Sequence, residues 1–393
     1  MKVKYHSASK SGVRLAAVAL HLLLVGAAVW AWSGPAAPQN VPKRWHPRRT
    51  PAGTEFVGDQ TCAQCHKQTA AAHAGTSMAN AMEPVANSKV LIDNPVMTFR
   101  SGPYTYEIRR QGDKSTYKVT DGSETVTLPV LYAFGQGKAG QTYVLEYEGA
   151  YYESLVSYYN EVKGLDFTIG APRTVPESLQ KAIGRKLSES DVNNCFGCHS
   201  TGGVVAGKLK LETMTPGIRC EACHGPGGAH AAAAQKKEPS GELIYNPRVL
   251  SGDQLAQDFC ASCHRGNEEF GLLRSLELNN VRFQPYRMFH SKCYSDDRRI
   301  SCTACHDPHE PIQKDMAFYD SKCAACHAPK KTAAGLKLKT AAAAAPQATA
   351  PPCKVATKDC VSCHMPKLGP PAAHFKFTDH FIRVVKPDEA YPN

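Results

Sequence analysis

Cys195-Phe-Gly-Cys198-His199, followed twenty residues later by Cys220-Glu-Ala-Cys223-His224-Gly-Pro-Gly-Gly-Ala-His230, is the stretch on which the reading of this chain turns. It holds one pentapeptide, Cys-x-x-Cys-His, twice. Working outward, the same pentapeptide recurs at Cys62-Ala-Gln-Cys65-His66, Cys260-Ala-Ser-Cys263-His264, Cys302-Thr-Ala-Cys305-His306, Cys323-Ala-Ala-Cys326-His327 and Cys360-Val-Ser-Cys363-His364. Seven copies use 14 of the 16 cysteines and seven of the 16 histidines, leaving Cys293 and Cys353 over. The last six copies begin 25, 40, 42, 21 and 37 residues apart, so no fixed repeat period and no solenoid is implied.

Cys-x-x-Cys-His is the attachment signature of c-type heme. The two thiols add across the porphyrin vinyl groups, the two-residue gap sets both sulfurs on one side of a short turn, and the next residue offers its imidazole to the iron. A thioredoxin-like pair or a set of zinc ligands also uses paired cysteines, but neither requires histidine directly after the second one. The sequence therefore predicts seven covalent hemes, anchored by Cys62, Cys65, Cys195, Cys198, Cys220, Cys223, Cys260, Cys263, Cys302, Cys305, Cys323, Cys326, Cys360 and Cys363. The proximal iron ligands are His66, His199, His224, His264, His306, His327 and His364.

The N-terminus fits a chain exported to meet that chemistry. Lys2, Lys4, Lys10 and Arg14 precede an apolar run from Leu15 to Trp32, with small residues at Ser33, Gly34 and Ala36. Residues 1–36 read as a cleaved signal peptide or, since the run nearly suffices to span a bilayer, as an anchor tying the protein to a membrane. Both place the rest outside the cytoplasm: periplasm, membrane-anchored or at the cell surface. Residues 37–53, rich in Pro and Arg, read as an extended tether. The first heme segment is 54–95, a β-rich insert 96–185, a five-heme core 186–330, an Ala/Lys/Pro-rich loop 331–352, and the seventh heme with its C-terminal segment 353–393.

In the insert, Tyr104-Thr-Tyr-Glu-Ile-Arg-Arg, Ser115-Thr-Tyr-Lys-Val-Thr and Thr142-Tyr-Val-Leu-Glu-Tyr alternate partly and are separated by Gly112-Asp113, Asp121-Gly122 and Glu148-Gly149. That pattern predicts an antiparallel sheet. Tyr151, Tyr152, Tyr158 and Tyr159 read as strand packing in preference to an electron relay. Elsewhere only short helices and loops are expected, packed around the hemes, because about 50 residues per motif cannot build an apolar core for each.

Each iron also needs a sixth ligand or an open face. His309 stands three residues after His306, too close to reach the far side of its own iron, so it is assigned to a neighbouring heme. His230 follows a glycine turn. His290, His374 and His380 complete the histidine candidates; for the first heme His73 and Met78 compete, and a methionine would raise that heme's potential. His46 reads as a linker residue. Cys293 and Cys353 could pair as a disulfide in an oxidising compartment.

From about Phe56 onward the chain resembles multiheme cytochromes c of the cytochrome c-554 type, related to the hydroxylamine oxidoreductase superfamily. The resemblance rests on Cys195-Phe-Gly-Cys-His-Ser-Thr-Gly, Cys220-Glu-Ala-Cys-His-Gly-Pro-Gly-Gly-Ala-His, Arg299-Ile-Ser-Cys-Thr-Ala-Cys-His-Asp-Pro-His, Cys360-Val-Ser-Cys-His-Met-Pro-Lys with Phe377-Thr-Asp-His380, and Tyr132-Ala-Phe-Gly-Gln-Gly-Lys-Ala-Gly-Gln-Thr-Tyr. It implies His230, His309 and His380 as distal ligands. In such relatives a histidine commonly stands twelve residues after the first proximal one, and here that position is Met78, which favours Met78 over His73.

The leading expectation is an electron-transfer protein with no catalytic residue of its own, exchanging electrons with redox protein donors and acceptors. The close motif pairs at 195/220 and 302/323 suggest stacked hemes. An oxidoreductase acting on a small nitrogen or sulfur compound at one five-coordinate heme is the alternative, although no Cys-x-x-Cys-Lys site and no eighth motif occurs. A homo-oligomer or extracellular filament, with a ligand donated between chains, is a third reading. The formal charge of +11 does not indicate nucleic acid, since a basic stripe and a binding motif are missing. Four of those charges belong to residues 1–36, and each ferric heme adds about −1, which brings the total near zero.

Overall fold

The alternating segments between the first two motifs build the largest element of the protein. In the computed structural model, which describes residues 44–270, 278–295, 298, 300–327, 353–371 and 373–386, they form an eight-stranded sheet. Its strands are β1 (Met82–Pro84), β2 (Val96–Ser101), β3 (Tyr104–Gln111), β4 (Lys114–Thr120), β5 (Thr125–Phe134), β6 (Thr142–Tyr147), β7 (Ala150–Ser154) and, beyond the separate hairpin of β8 (Val156–Tyr159) and β9 (Gly164–Phe167), β10 (Gly184–Lys186). The order is β10-β7-β6-β5-β4-β3-β2, antiparallel throughout. β5 outruns β4, and β1 takes up the free end of that edge, pairing Met82 with Phe134 and Pro84 with Tyr132.

Local chemistry sets the register. β6 and β7 turn at Glu148-Gly149, both at positive φ (50° and 72°), the backbone twist a two-residue hairpin needs. At the β4–β5 turn the Asp121 carboxylate accepts from the Ser123 and Glu124 amides at 2.9 and 2.8 Å. Alternation then buries one face: Tyr104, Tyr106 and Ile108 of β3 lie with Tyr117, Val119, Leu128, Val130, Tyr143 and Leu145 in one apolar core. Of the four tyrosines singled out above, Tyr152 and Tyr158 belong to this core, the Tyr159 hydroxyl donates to the Phe167 carbonyl at 2.8 Å, and Tyr151 leans on Phe196.

Outside the insert, the described helices are short. The longest, Met316–His327 and Glu189–His199, have 12 and 11 residues, and each ends on a motif histidine. Apolar clusters here are small, such as Trp45, Tyr245 and Phe259, or Ala256, Met288 and Tyr294. All described residues fall within one compact unit, Pro42–Asn393. Among them, no helix is long and apolar enough to cross a membrane; the Leu15–Trp32 run and the 331–352 loop lie outside the described residues.

The tether expected over 37–53 is corrected over its described part. Trp45 is buried and its indole N–H donates to the Ala222 carbonyl at 2.8 Å; Arg48 donates to the Ser262 carbonyl at 2.7 Å and also bonds Asn194. The segment carries an apolar ring and a five-donor fork, and both find partners on motif helices. Proline content alone concealed this.

Candidate heme-attachment site

Each motif closes a single helical turn. The His66 amide bonds the Cys62 carbonyl at 2.9 Å, and His306 does the same to Cys302 at 2.9 Å. Residues i, i+3 and i+4 share one face of such a turn, so the two thiols and the imidazole of each motif point the same way. Motif two sits at the end of the Glu189–His199 helix, which begins with a reciprocal cap between Ser188 and Asp191. That helix is packed on the sheet, with Phe196 edge-on to Tyr132 and Phe134 at 5.0 and 5.4 Å. Motif three, Cys220–His224, ends against Trp45: Gly225 has φ +68°, and a Cβ there would lie 3.1 Å from the indole.

A buried carboxylate joins motifs one and three. Glu221 Oε1 accepts from the amides of Val57 (3.0 Å) and Gly227 (2.8 Å), and Oε2 from Gly58 (2.8 Å). Asp320 does similar work between motifs six and seven, accepting from the Asp359 and Cys360 amides at 2.7 and 2.8 Å. The sequence reading passed over both. A variable position inside a Cys-x-x-Cys pair gives no sign of being buried.

Thiols of different motifs lie beside one another: Cys62 by Cys220, Cys198 by Cys263, Cys260 by Cys302, and Cys323 by Cys360. Motifs two and three, close in sequence, therefore find their thiol partners elsewhere: motif two on four, motif three on one. The strands Ser200–Thr201 and Thr215–Pro216, paired between them, intervene. None of the motif cysteines is in a disulfide, and neither are Cys293 and Cys353, so the expected Cys293–Cys353 bridge is not formed. Cys293 lies near Cys305 and Cys323, whereas the exposed Cys353 accepts from the Val355 amide at 3.5 Å.

The histidines are set for metal. Nδ1 of His199, His224 and His364 faces the carbonyls of Ala81 (2.8 Å), Tyr245 (3.0 Å) and Arg383 (2.8 Å). His230 and His380 do likewise toward Ser240 (2.8 Å) and Thr378 (3.0 Å), and His309 toward the Asp307 carboxylate (3.1 Å). An acceptor at Nδ1 requires the proton there and leaves the Nε2 lone pair for a metal. Burial lowers the pKa of His199, His224, His264, His290 and His306, and takes His380 down to about 4, favouring the neutral, ligating form. His290 Nε2 is buried with no hydrogen-bond partner.

Among the described residues, every histidine–histidine ring pair joins a motif histidine to one outside the motifs. His66 faces His230 with ring centres 6.2 Å apart, His224 faces His309 at 6.0 Å, and His306 faces His380 at 6.3 Å. Two imidazoles on opposite sides of one metal have centres about 6.3 Å apart, for a metal–nitrogen bond of about 2.0–2.1 Å and about 1.1 Å from nitrogen to ring centre. Orphaned or lone-pair nitrogens, facing thiols and this separation all fit c-type heme. The imidazole set against His66 comes from His230, beyond motif three. Of the two residues weighed for that place, His73 is buried and the half-buried Met78 has its carbonyl bonded to the Ile218 amide at 2.9 Å. His374 is not brought to a motif histidine: its Nε2 meets Asp166 at 2.5 Å and its ring Tyr159 at 5.0 Å.

Fold and site thus define a protein built to hold several c-type hemes. Comparison with known proteins narrows the class. Residues 171–225 match the family described as cytochrome c554 and c-prime. Multiheme cytochrome MtrA of Shewanella baltica is 22% identical over 211 residues, covering 49% of this chain and 53% of that protein. Cytochrome c-554 of Nitrosomonas europaea is 33% identical over 110 residues, covering 25% and 46%. The chain therefore spans about half the length of these curated relatives. The solved structure of outer cell wall cytochrome OcwA aligns over 84% of this chain and 80% of its own, with TM-score 0.43 and 18% identity. Motifs and sequence matches together support a multiheme cytochrome c.

Proposed function

We propose that this chain is an exported heptaheme cytochrome that carries electrons between redox protein partners. Bound heme supplies one-electron chemistry at iron. The protein's own residues hold the irons in series and close their sixth positions: His230 opposite His66, His309 opposite His224, His380 opposite His306, with His290 for a further motif. The observation that carries the reading is the set of facing imidazoles, 6.2, 6.0 and 6.3 Å apart, that join motif histidines to residues from distant parts of the chain. Neighbouring thiols join motifs one and three, two and four, four and five, and six and seven. Cys65 of motif one, Cys326 of motif six and Cys363 of motif seven are exposed, giving partners access.

A second reading, an oxidoreductase acting on a small nitrogen or sulfur compound at an open iron, draws support from one observation. Among the described residues, His199, His264 and His364 face no second imidazole. Film voltammetry of the heme-loaded protein separates the two. Electron transfer predicts a reversible wave unchanged by nitrite, hydroxylamine or sulfite; a catalytic current with any of them would replace the wire by the enzyme.

A further inference from the structure

We propose that the buried Arg287–Asp379 ion pair is a positioning device that holds His380 against His306, an inference that rests on His380 being an axial ligand. Both side chains are fully buried. Arg287 donates through Nε to Asp379 Oδ1 at 2.9 Å and through Nη2 to Oδ2 at 2.8 Å, a two-pronged contact that fixes angle as well as distance. The same carboxylate accepts from the Phe381 amide at 2.9 Å and from Arg383 Nη1 at 2.9 Å. The chain is thereby turned around His380, the residue between these bonds.

A second hold comes from Ser291, next to the helix Gln284–Phe289 that carries Arg287. Its hydroxyl donates to the His380 carbonyl at 2.9 Å and accepts from the Ile382 amide at 2.8 Å. Asp379 is further tied to motif seven through its amide, bonded to the Pro366 carbonyl at 2.9 Å. Desolvating two charges offsets most of their attraction, and an apolar pair of the same volume would hold the fold as well. What the ion pair adds is the fixed direction of its neighbour. The ion pair touches no motif histidine directly; beside the hold on His380 its side chains reach motif seven through Arg383, whose carbonyl faces Nδ1 of His364.

The test uses the fully heme-loaded protein, its heme complement verified by mass, and counts carbon monoxide bound per reduced chain. His380→Ala serves as the reference and is expected to bind one more equivalent than the unmodified protein. Asp379→Asn is expected to show the same extra equivalent. Ser291→Ala keeps both charges paired and tests the same hold should Asp379→Asn fail to fold; it is expected to shift the reduction potential of one heme, the one that His380→Ala opens. If His380→Ala gains an equivalent while Asp379→Asn and Ser291→Ala behave as the unmodified protein, the positioning role is overturned. If His380→Ala gains nothing, the ligand reading fails and the inference falls with it.

Discussion

The β insert and the motif-bearing segments solve the problem of a stable interior in opposite ways. The insert buries one face of a regular sheet, so that Tyr106, Tyr117, Tyr143, Leu145 and Ile108 are almost wholly shielded by one another. The motif segments have only small apolar clusters and are held at points: Glu221 on three amides, Asp320 on two, Arg287 on Asp379, Trp45 on Ala222. Their volume is left to the cofactor. An apolar sheet carries its own driving force, whereas a set of point contacts needs something to close around.

The sharpest way to break this contrast is to make the chain without heme attachment. Hydrogen exchange is expected to show the amides of β2 to β7 still protected and those of the Cys220–His224 and Cys360–His364 turns exchanging freely. Uniform protection, or uniform loss, would end the distinction. Glu221→Ala leaves the buried Gly227 amide and the partly buried Val57 and Gly58 amides without their acceptor and should cost about 2–5 kcal/mol, at about 1–3 kcal/mol for the buried donor and less for the others, measured by denaturant unfolding of the heme-loaded protein. The spectra of the hemes on motifs one and three should change with it.

Leu145→Ala, in the middle of the sheet core, should cost about 2–5 kcal/mol yet leave the heme spectra as they were. A spectral change there would mean that the two regions are not separate in their energetics. The smallest effect concerns the helix that seats motif two. Ser188→Ala removes the cap and should cost about 1 kcal/mol. Hydrogen bonds from Ser188 and Arg185 hold Asp191 down to about 2. A carboxylate lowered in the folded state stabilises above its unfolded pKa, so this cap is intact above about pH 4 and is lost as pH falls toward 2. Exchange of the Glu189–His199 amides across that range checks it.

How much of this could be read from sequence divides along the same line. The seven attachment turns are legible because their spacing is local, and the strands because period-two alternation in Tyr104–Gln111 or Lys114–Thr120 is local too. The pairing of histidines is not. His66 meets a residue from beyond motif three and His224 one from beyond motif five, and no local pattern encodes contacts across such intervals. Sequence proximity misleads in the same way at motifs two and three, whose thiols turn to motifs four and one. Asp379 was in view as the neighbour of His380, but nothing in the Gln284–Phe289 helix announces Arg287 as its partner. The packing of Trp45 and Arg48 was hidden by the prolines around them.

The central claim is that axial pairs form between motifs and are contributed from distant parts of the chain. Near-infrared magnetic circular dichroism of the oxidised, heme-loaded protein counts bis-histidine irons directly. In each of His230→Ala, His309→Ala and His380→Ala the account predicts the loss of one such iron, and no loss in His374→Ala. An unchanged count in His230→Ala, or a loss in His374→Ala, would contradict it.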